Sequence, residues 1–316
     1  MNEPVKPNQT NSNAVKLTVL FIGILAVSTA SIFIRFAQTE MPSLVIAAGR
    51  MVAAALIMLP FALHSWIRKR FVPSRRDLLF LLLAGLFLGL HFASWITSLQ
   101  YTTVASSVVI VTTAPLWVAL FSPLVLKERL TKKVIFGMAV ALCGSFIVGI
   151  SSSCSVTGTK LACSLSQSIL SSEYALGNLL AFFGALLSAG YLIIGRKARS
   201  EIDLPVYTFI VYSIAAIFLL IMAGLSGARL TGYSAQSYLW LLLLALIPQA
   251  IGHTSFNWAL KYLPAAYVSI ALLGEPVGTI ILAAILLNES PTVLELTGGV
   301  LILTGITLAT RRIKEG

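Results

Sequence analysis

The chain has 316 residues, 58% of them hydrophobic and only 10% charged, where a soluble domain carries about 25% charged residues. It cannot be solvated all round and reads as a polytopic membrane protein. The formal net charge of +11 would suggest nucleic acid in a soluble protein. Here the bases lie in short loops between apolar runs, where they set topology and touch anionic lipid, so no nucleic-acid partner is expected. Asp77 and Asp203 are the only aspartates, which disfavours metal-dependent phosphoryl or glycosyl transfer. Neither a metal site nor a cofactor is expected.

Residues 1–16 are polar and expected to be a disordered N-terminus. Ten apolar runs follow, at about 17–38, 43–63, 78–97, 103–125, 132–150, 174–195, 206–226, 237–260, 266–287 and 293–310. Each matches the roughly 20 helical residues that cross a bilayer core. Closed β-barrels, the other structure that spans a bilayer, need an alternation of two that is absent. The first run has a polar lead and no small-residue cleavage site, so it reads as a span rather than a cleaved signal.

Arg35 lies near the end of the first span, where snorkelling accounts for it. Arg50 lies deep in the second. An intramembrane arginine costs at least about 2.5 kcal/mol on insertion scales and normally turns inward. It is either a fixed positive charge on a cavity, holding a carboxylate or balancing Glu275, or a structural arginine bound to carbonyls. The third span opens at "SRRD" (Ser74–Asp77), a capping box. It stacks His91, Trp95 and Ser98 on one face. Trp95, with Trp117 in the fourth span, suits an apolar cavity for amphipathic solutes; ordinary packing is the alternative. Gly137, Ala141 and Gly144 form a small face in the fifth span, read as a packing stripe and a candidate dimer face. The chain is compatible with a monomer or a homodimer.

The outer loop at 151–173 is rich in serine and holds Cys154 and Cys163, which an oxidising periplasm would allow to pair. In the eighth span Gln249, His253 and Asn257 recur at i, i+4 and i+8, one polar stripe on a helix beginning beside Pro248. In the ninth, Glu275 and Pro276 interrupt an apolar run. The tenth opens at "TVLE" (Thr292–Glu295), a second capping box.

With the N-terminus placed inside, the inner segments carry 18 Lys and Arg residues and the outer ones 3, Arg50 being within a span. That bias places both termini in the cytoplasm.

Sliding the chain by 161 residues lays Ser94 over Ser255, Tyr101 over Tyr262, Pro115 over Pro276, Glu128 over Glu289, Gly137 over Gly298 and Gly144 over Gly305. Arg35 falls on Arg196, and a shift of two more pairs Pro42 with Pro205 and Arg50 with Ser213. The chain is therefore two five-span halves, 17–150 and 174–311, with a short cytoplasmic tail at 312–316. Five is odd, so the halves are inverted. The expected fold is all-α, with ten transmembrane helices in two inverted five-helix repeats around a central cavity. That architecture belongs to secondary transporters with a midplane site. Pro115 and Pro276 are common to both halves and mark a hinge or kink. Glu275, opposite Ala114, is private to one half. It either meets a cationic substrate group or a coupled proton, or is a protonated acid bonded between helices.

"APLWVALFSPLVLKERLTKKVIFGMAVALCG", closing the first half, and "GHTSFNWALKYLPAAYVSIALLGEPVGTIILAAILLNE", in the second, together with the lone arginine of "VIAAGRMVAAALIMLP", resemble the EamA-type branch of the drug/metabolite transporter superfamily. The resemblance implies a carrier of small metabolites, often an exporter of amino acids and related compounds, in the bacterial inner membrane. It also implies a helical basket around a central cavity with peripheral fifth and tenth spans. The candidate substrate-binding residues are Arg50, Trp95, Trp117, Gln249, His253, Asn257 and Glu275. A membrane enzyme is the first alternative, but no zinc-protease, nucleophile-elbow or phosphate-loop motif is present. A receptor or assembly subunit is the second.

Overall fold

The computed structural model describes residues 13–70, 72–128, 130–151, 154–157, 160–163, 172–286 and 290–310. Ten helices among these are long and apolar enough to span a membrane. Spans 1 to 5 are Asn13–Ala37, Ser43–Lys69, Arg75–Tyr101, Ser106–Val125 and Lys132–Ile150. Spans 6 to 10 are Ser172–Ala198, Leu204–Leu225, Ala235–Tyr262, Ala265–Leu282 and Val293–Thr310. The expected boundaries hold to within a few residues except in span 2, expected to end at 63, which runs on to Lys69. One shift is that Asn13–Lys16, expected as polar tail, already belongs to the first helix. Both capping boxes form. Asp77 N–H donates to Ser74 Oγ at 3.2 Å while Ser74 N–H donates to the Asp77 carboxylate at 2.9 Å; Thr292 and Glu295 do the same at 3.2 and 2.8 Å.

The outer loop is not wholly irregular. Strands β1 (Cys154–Thr157) and β2 (Lys160–Cys163) pair antiparallel and set Cys154 opposite Cys163. The side chains of both cysteines, and residues 152–153, 158–159 and 164–171, lie outside the described residues. So do residues 1–12, the expected tail at 312–316, and Glu289, the repeat mate of Glu128.

The packing follows the inverted repeat. Span 2 packs on span 7, span 5 on span 10 and span 4 on span 9, each an element against its own repeat mate. Span 3 packs on span 6, and the equivalent contact joins span 8 to span 1. The glycines make the two-fold relation visible. A Cβ on Gly137 would stand 2.6 Å from the Gly305 carbonyl, and one on Gly298 2.6 Å from the Gly144 carbonyl. Those contacts interchange under the same 161-residue shift. Only glycine lets these backbones meet so closely. The stripe expected as a candidate dimer face is thus consumed inside the chain, where it joins the two halves.

Four spans depart from regular helix. Span 1 breaks between Asn13–Val27 and Ala30–Ala37. Span 4 breaks between Val104–Val111 and Ala114–Val125, and span 9 between Ala265–Leu272 and Glu275–Leu286. Pro115 and Pro276 are each the second residue of a new half-helix. The expected kink takes the form of a two-residue interruption, at Thr112–Thr113 and Leu273–Gly274, crossed by tighter i→i−3 bonds. In a first helical turn a missing N–H removes no intrahelical bond, so proline starts a helix there rather than distorting one. Span 8 runs as π-helix over Ala245–His253, through Pro248.

Candidate functional site

The three breaks lie about half-way along their spans and converge on one cavity of about 60 Å³ between the repeats. Val27 and Ala30 line it from span 1, Val111, Thr112, Ala114 and Pro115 from span 4, and Leu272, Leu273 and Glu275 from span 9. Arg50, His91, Trp95, Ser188 and His253 complete the wall. The breaks are bridged locally: Thr29, Thr113 and Gly274 N–H donate to the Ala26, Ile110 and Ala271 carbonyls three residues back, and the Ser28, Thr29, Thr112 and Thr113 hydroxyls cap further carbonyls of the preceding turn. The first and ninth spans are stitched at their breaks. Ser28 Oγ donates to the Glu275 carbonyl at 3.1 Å, and Thr279 Oγ1 donates to the Ser28 carbonyl at 3.0 Å. Gly278 permits that approach, since a Cβ there would fall 2.1 Å from Ser28 Oγ.

Arg50 is completely buried. Its Nε donates to Gln249 Oε1 at 3.0 Å, and its guanidinium carbon lies 4.1 Å from the centroid of the Phe92 ring. Nη1 and Nη2 have no hydrogen-bond partner in the protein. A buried donor left unpaired costs roughly 1–3 kcal/mol, and more when charged. The described ion pairs within 4.0 Å are Lys69–Asp203 and Arg196–Glu128. Arg50 and Glu275 are not so paired, although both face the cavity. One cation and one acid without partner ions thus share a small, largely apolar chamber.

His91 Nδ1 donates to the Gly184 carbonyl at 2.8 Å, which turns Nε2 away from that bond. Its ring stacks on Trp95 at 6.0 Å, 12° from parallel. His253 sits among Phe92, Tyr191 and Phe256 at 5.3 to 6.4 Å.

The three residues of the span 8 stripe meet different surroundings. Gln249 turns to Arg50, and His253 reaches the cavity. Asn257 accepts from Tyr191 OH at 2.7 Å away from the lining. Trp117 is also outside the lining, edge-on to Phe182 at 5.4 Å. Of the sequence candidates, Arg50, Trp95, His253, Glu275 and Pro115 are brought together at the cavity, with Gln249 behind Arg50 and Pro276 beside Glu275. The break in span 1 and the contribution of Ser188 were not foreseen. "VSTAS" (Val27–Ser31), a run of small polar residues inside an apolar span, is the signal that marks that break.

At one membrane face a second cluster joins the repeats. Arg196 Nε meets Glu128 Oε1 at 2.9 Å and Nη1 donates to the Leu260 carbonyl at 2.7 Å. Glu128 Oε2 accepts from Ser122 Oγ at 3.1 Å and from Ala265 N–H at 3.2 Å, capping span 9. At the opposite face Glu40 accepts from Ser234 Oγ at 2.6 Å and Ser237 Oγ at 2.5 Å, capping span 8.

The EamA-like transporter family matches residues 15–150 and 175–311, one match for each repeat. The chain belongs to the EamA-like transporter family. It is a multi-pass membrane protein with two inverted five-helix repeats around a central cavity. An uncharacterized transporter of Archaeoglobus fulgidus is 23% identical over 296 residues, covering 93% of this chain and 96% of its own. The uncharacterized transporter YdfC of Bacillus subtilis is 22% identical, covering 84% and 81%. A probable terminal-alkyne amino-acid exporter of Streptantibioticus cattleyicolor is 27% identical over 201 residues, covering 63% and 61%. A solved crystal structure superposes with a TM-score of 0.75 at 18% identity, over 96% of this chain and all of the other, and shows the same fold.

Proposed function

We propose that this family member is a secondary transporter that exports small amphipathic metabolites, such as amino acids or related compounds, across the bacterial inner membrane, with both termini cytoplasmic. The observation that carries this reading is the meeting of three broken helices on a cavity that holds Arg50 and Glu275 between inverted repeats. Helices interrupted at mid-depth are where inverted-repeat transporters place the substrate site. Ligand pockets occupy about 300–1,000 Å³, so the 60 Å³ chamber is a contracted state that widens to take a substrate. Widening towards one face and then the other requires the clusters around Glu128–Arg196 and Glu40–Ser234 to part in turn. Glu275 serves the cation side of the cycle, meeting a substrate ammonium or a coupled proton. Export and the amino-acid class are supported by the Streptantibioticus relative, and the cytoplasmic termini by the positive-inside charge bias. The test is counterflow in proteoliposomes containing the purified chain. Accelerated exchange of a small amphipathic metabolite supports the reading, and flux no faster than in protein-free liposomes for every solute tried contradicts it.

A further inference from the structure

We infer that Arg50 reads a carboxylate on the transported molecule, through Nη1 and Nη2, and that Gln249 and Phe92 are positioning residues for that contact. The inference rests on the transport reading above and adds the chemistry by which the cavity selects. The guanidinium is completely buried and lines the cavity. Gln249 Oε1 takes Nε at 3.0 Å, and the Phe92 ring at 4.1 Å packs against the guanidinium face. These two contacts fix both the plane and the rotation of the fork. What remains free is the pair of terminal nitrogens, neither bonded within the protein. Two parallel N–H donors in a fixed plane match a planar carboxylate bidentately.

Glu275 does not occupy that fork, since it makes no ion pair with Arg50 within 4.0 Å. Its backbone carbonyl accepts from Ser28 Oγ at 3.1 Å, which anchors the start of its half-helix on span 1. An arginine serving to tie helices spends a terminal nitrogen on carbonyls, as Arg196 spends Nη1 on Leu260 and Lys261. Arg50 does not. Gln249 stands behind Arg50, outside the cavity lining, so it holds the fork without competing for its open edge.

The experiment compares solutes that differ only at the acid. L-Leucine and L-phenylalanine, their carboxamides and their decarboxylated amines are tested for thermal stabilisation of the detergent-purified full chain and for flux in proteoliposomes. Wild type is expected to bind the acids about 10- to 100-fold more tightly than the amides, the range of a charge-assisted bidentate pair. Arg50→Lys should retain its fold and lose most of that preference, because an ammonium cannot present the fork. Gln249→Ala should weaken acid binding while sparing that of the amines. Amides or amines binding as well as acids to wild type, no stabilisation by either acid, or an undiminished preference in Arg50→Lys would each overturn the inference. Flux without carboxylate preference would overturn it and leave the transport reading standing. An absence of flux for every solute would instead remove the reading on which it rests.

Discussion

The two halves of the chain break the same helix at the same place and then part company. Span 4 restarts at Ala114–Pro115 and span 9 at Glu275–Pro276. The proline and the break are common, whereas the acid belongs to one half. Spans 3 and 8 differ in the same way. Leu88, Phe92 and Ile96 in the first half correspond to Gln249, His253 and Asn257 in the second, and only the second carries the π-helix. Features that build the basket recur in both repeats. Features that face a solute do not have to, because a solute has no two-fold axis. The asymmetry between mates therefore points to the site more directly than any single polar residue does.

The largest effect is expected where the halves are most alike. Gly144→Leu should prevent accumulation of folded protein, because even a Cβ would fall 2.5 Å from the Gly298 carbonyl. Gly224→Ala, with nothing within 4 Å of an added Cβ, should be neutral or stabilising by about 0.5–1 kcal/mol. Size-exclusion profiles and melting curves of the two variants test this, and comparable profiles would show that span 5 does not depend on close approach to span 10.

Making the breaks alike comes next. Glu275→Ala gives span 9 the residue of span 4. It should reduce transport at least about tenfold, a change of roughly 1.4 kcal/mol, while membrane abundance stays near wild type. Glu275→Gln separates charge from hydrogen bonding. Transport with an unchanged rate and unchanged pH profile in that variant would return Glu275 to a purely structural role.

The paired clusters at the two faces sharpen the comparison further. Glu128→Gln should lower stability by about 1 kcal/mol, the range of a partly exposed ion pair, and a double-mutant cycle with Arg196→Gln should show the two losses to be coupled. Additive losses would mean that the pair does not act as a unit.

The smallest effect concerns Asp203. Partial burial raises its carboxyl, but the Lys69 ammonium at 2.5 Å and Ser65 outweigh this and hold it below the usual aspartate value of 3.8. A folded value below the unfolded one gives stability that is present above about pH 3.8 and lost as pH falls through the folded value. Asp203→Asn should therefore be less stable than wild type at neutral pH and lose that difference in acid, as melting curves at both pH values would show. A difference that does not shrink as the pH is lowered from neutral into the acid range would contradict the assignment.

The fold was legible because apolar length, loop charge and the 161-residue shift each report a global constraint. Span count and inversion follow from them without any side-chain geometry. The site was legible only in part. Arg50 and Glu275 stood out because charge inside lipid needs a reason. Their separation, and the capture of Arg50 Nε by Gln249, depend on packing between residues some 200 positions apart in sequence. The stripe of span 8 is legible as three polar residues at one spacing, but the partner of each depends on the neighbouring spans: Arg50 takes Gln249, the cavity takes His253 and Tyr191 takes Asn257. Trp117 was placed at the cavity for its aromatic character alone, and Phe182 takes its ring. Cys154 and Cys163 were noticed as a loop pair, and the strand register that sets them opposite one another is a feature that a serine-rich loop gives no reason to expect.

The central claim is that the chamber between the repeats is reached from each membrane face in turn. Ser188 lines that chamber from span 6. With Cys143, Cys154 and Cys163 replaced by serine, Ser188→Cys provides a single reporter in proteoliposomes of known orientation. A membrane-impermeant maleimide should label it from either face, and a transported solute should shift the balance of labelling between faces without abolishing it. Labelling from one face only, unmoved by any solute that the protein carries, would contradict alternating access through this cavity.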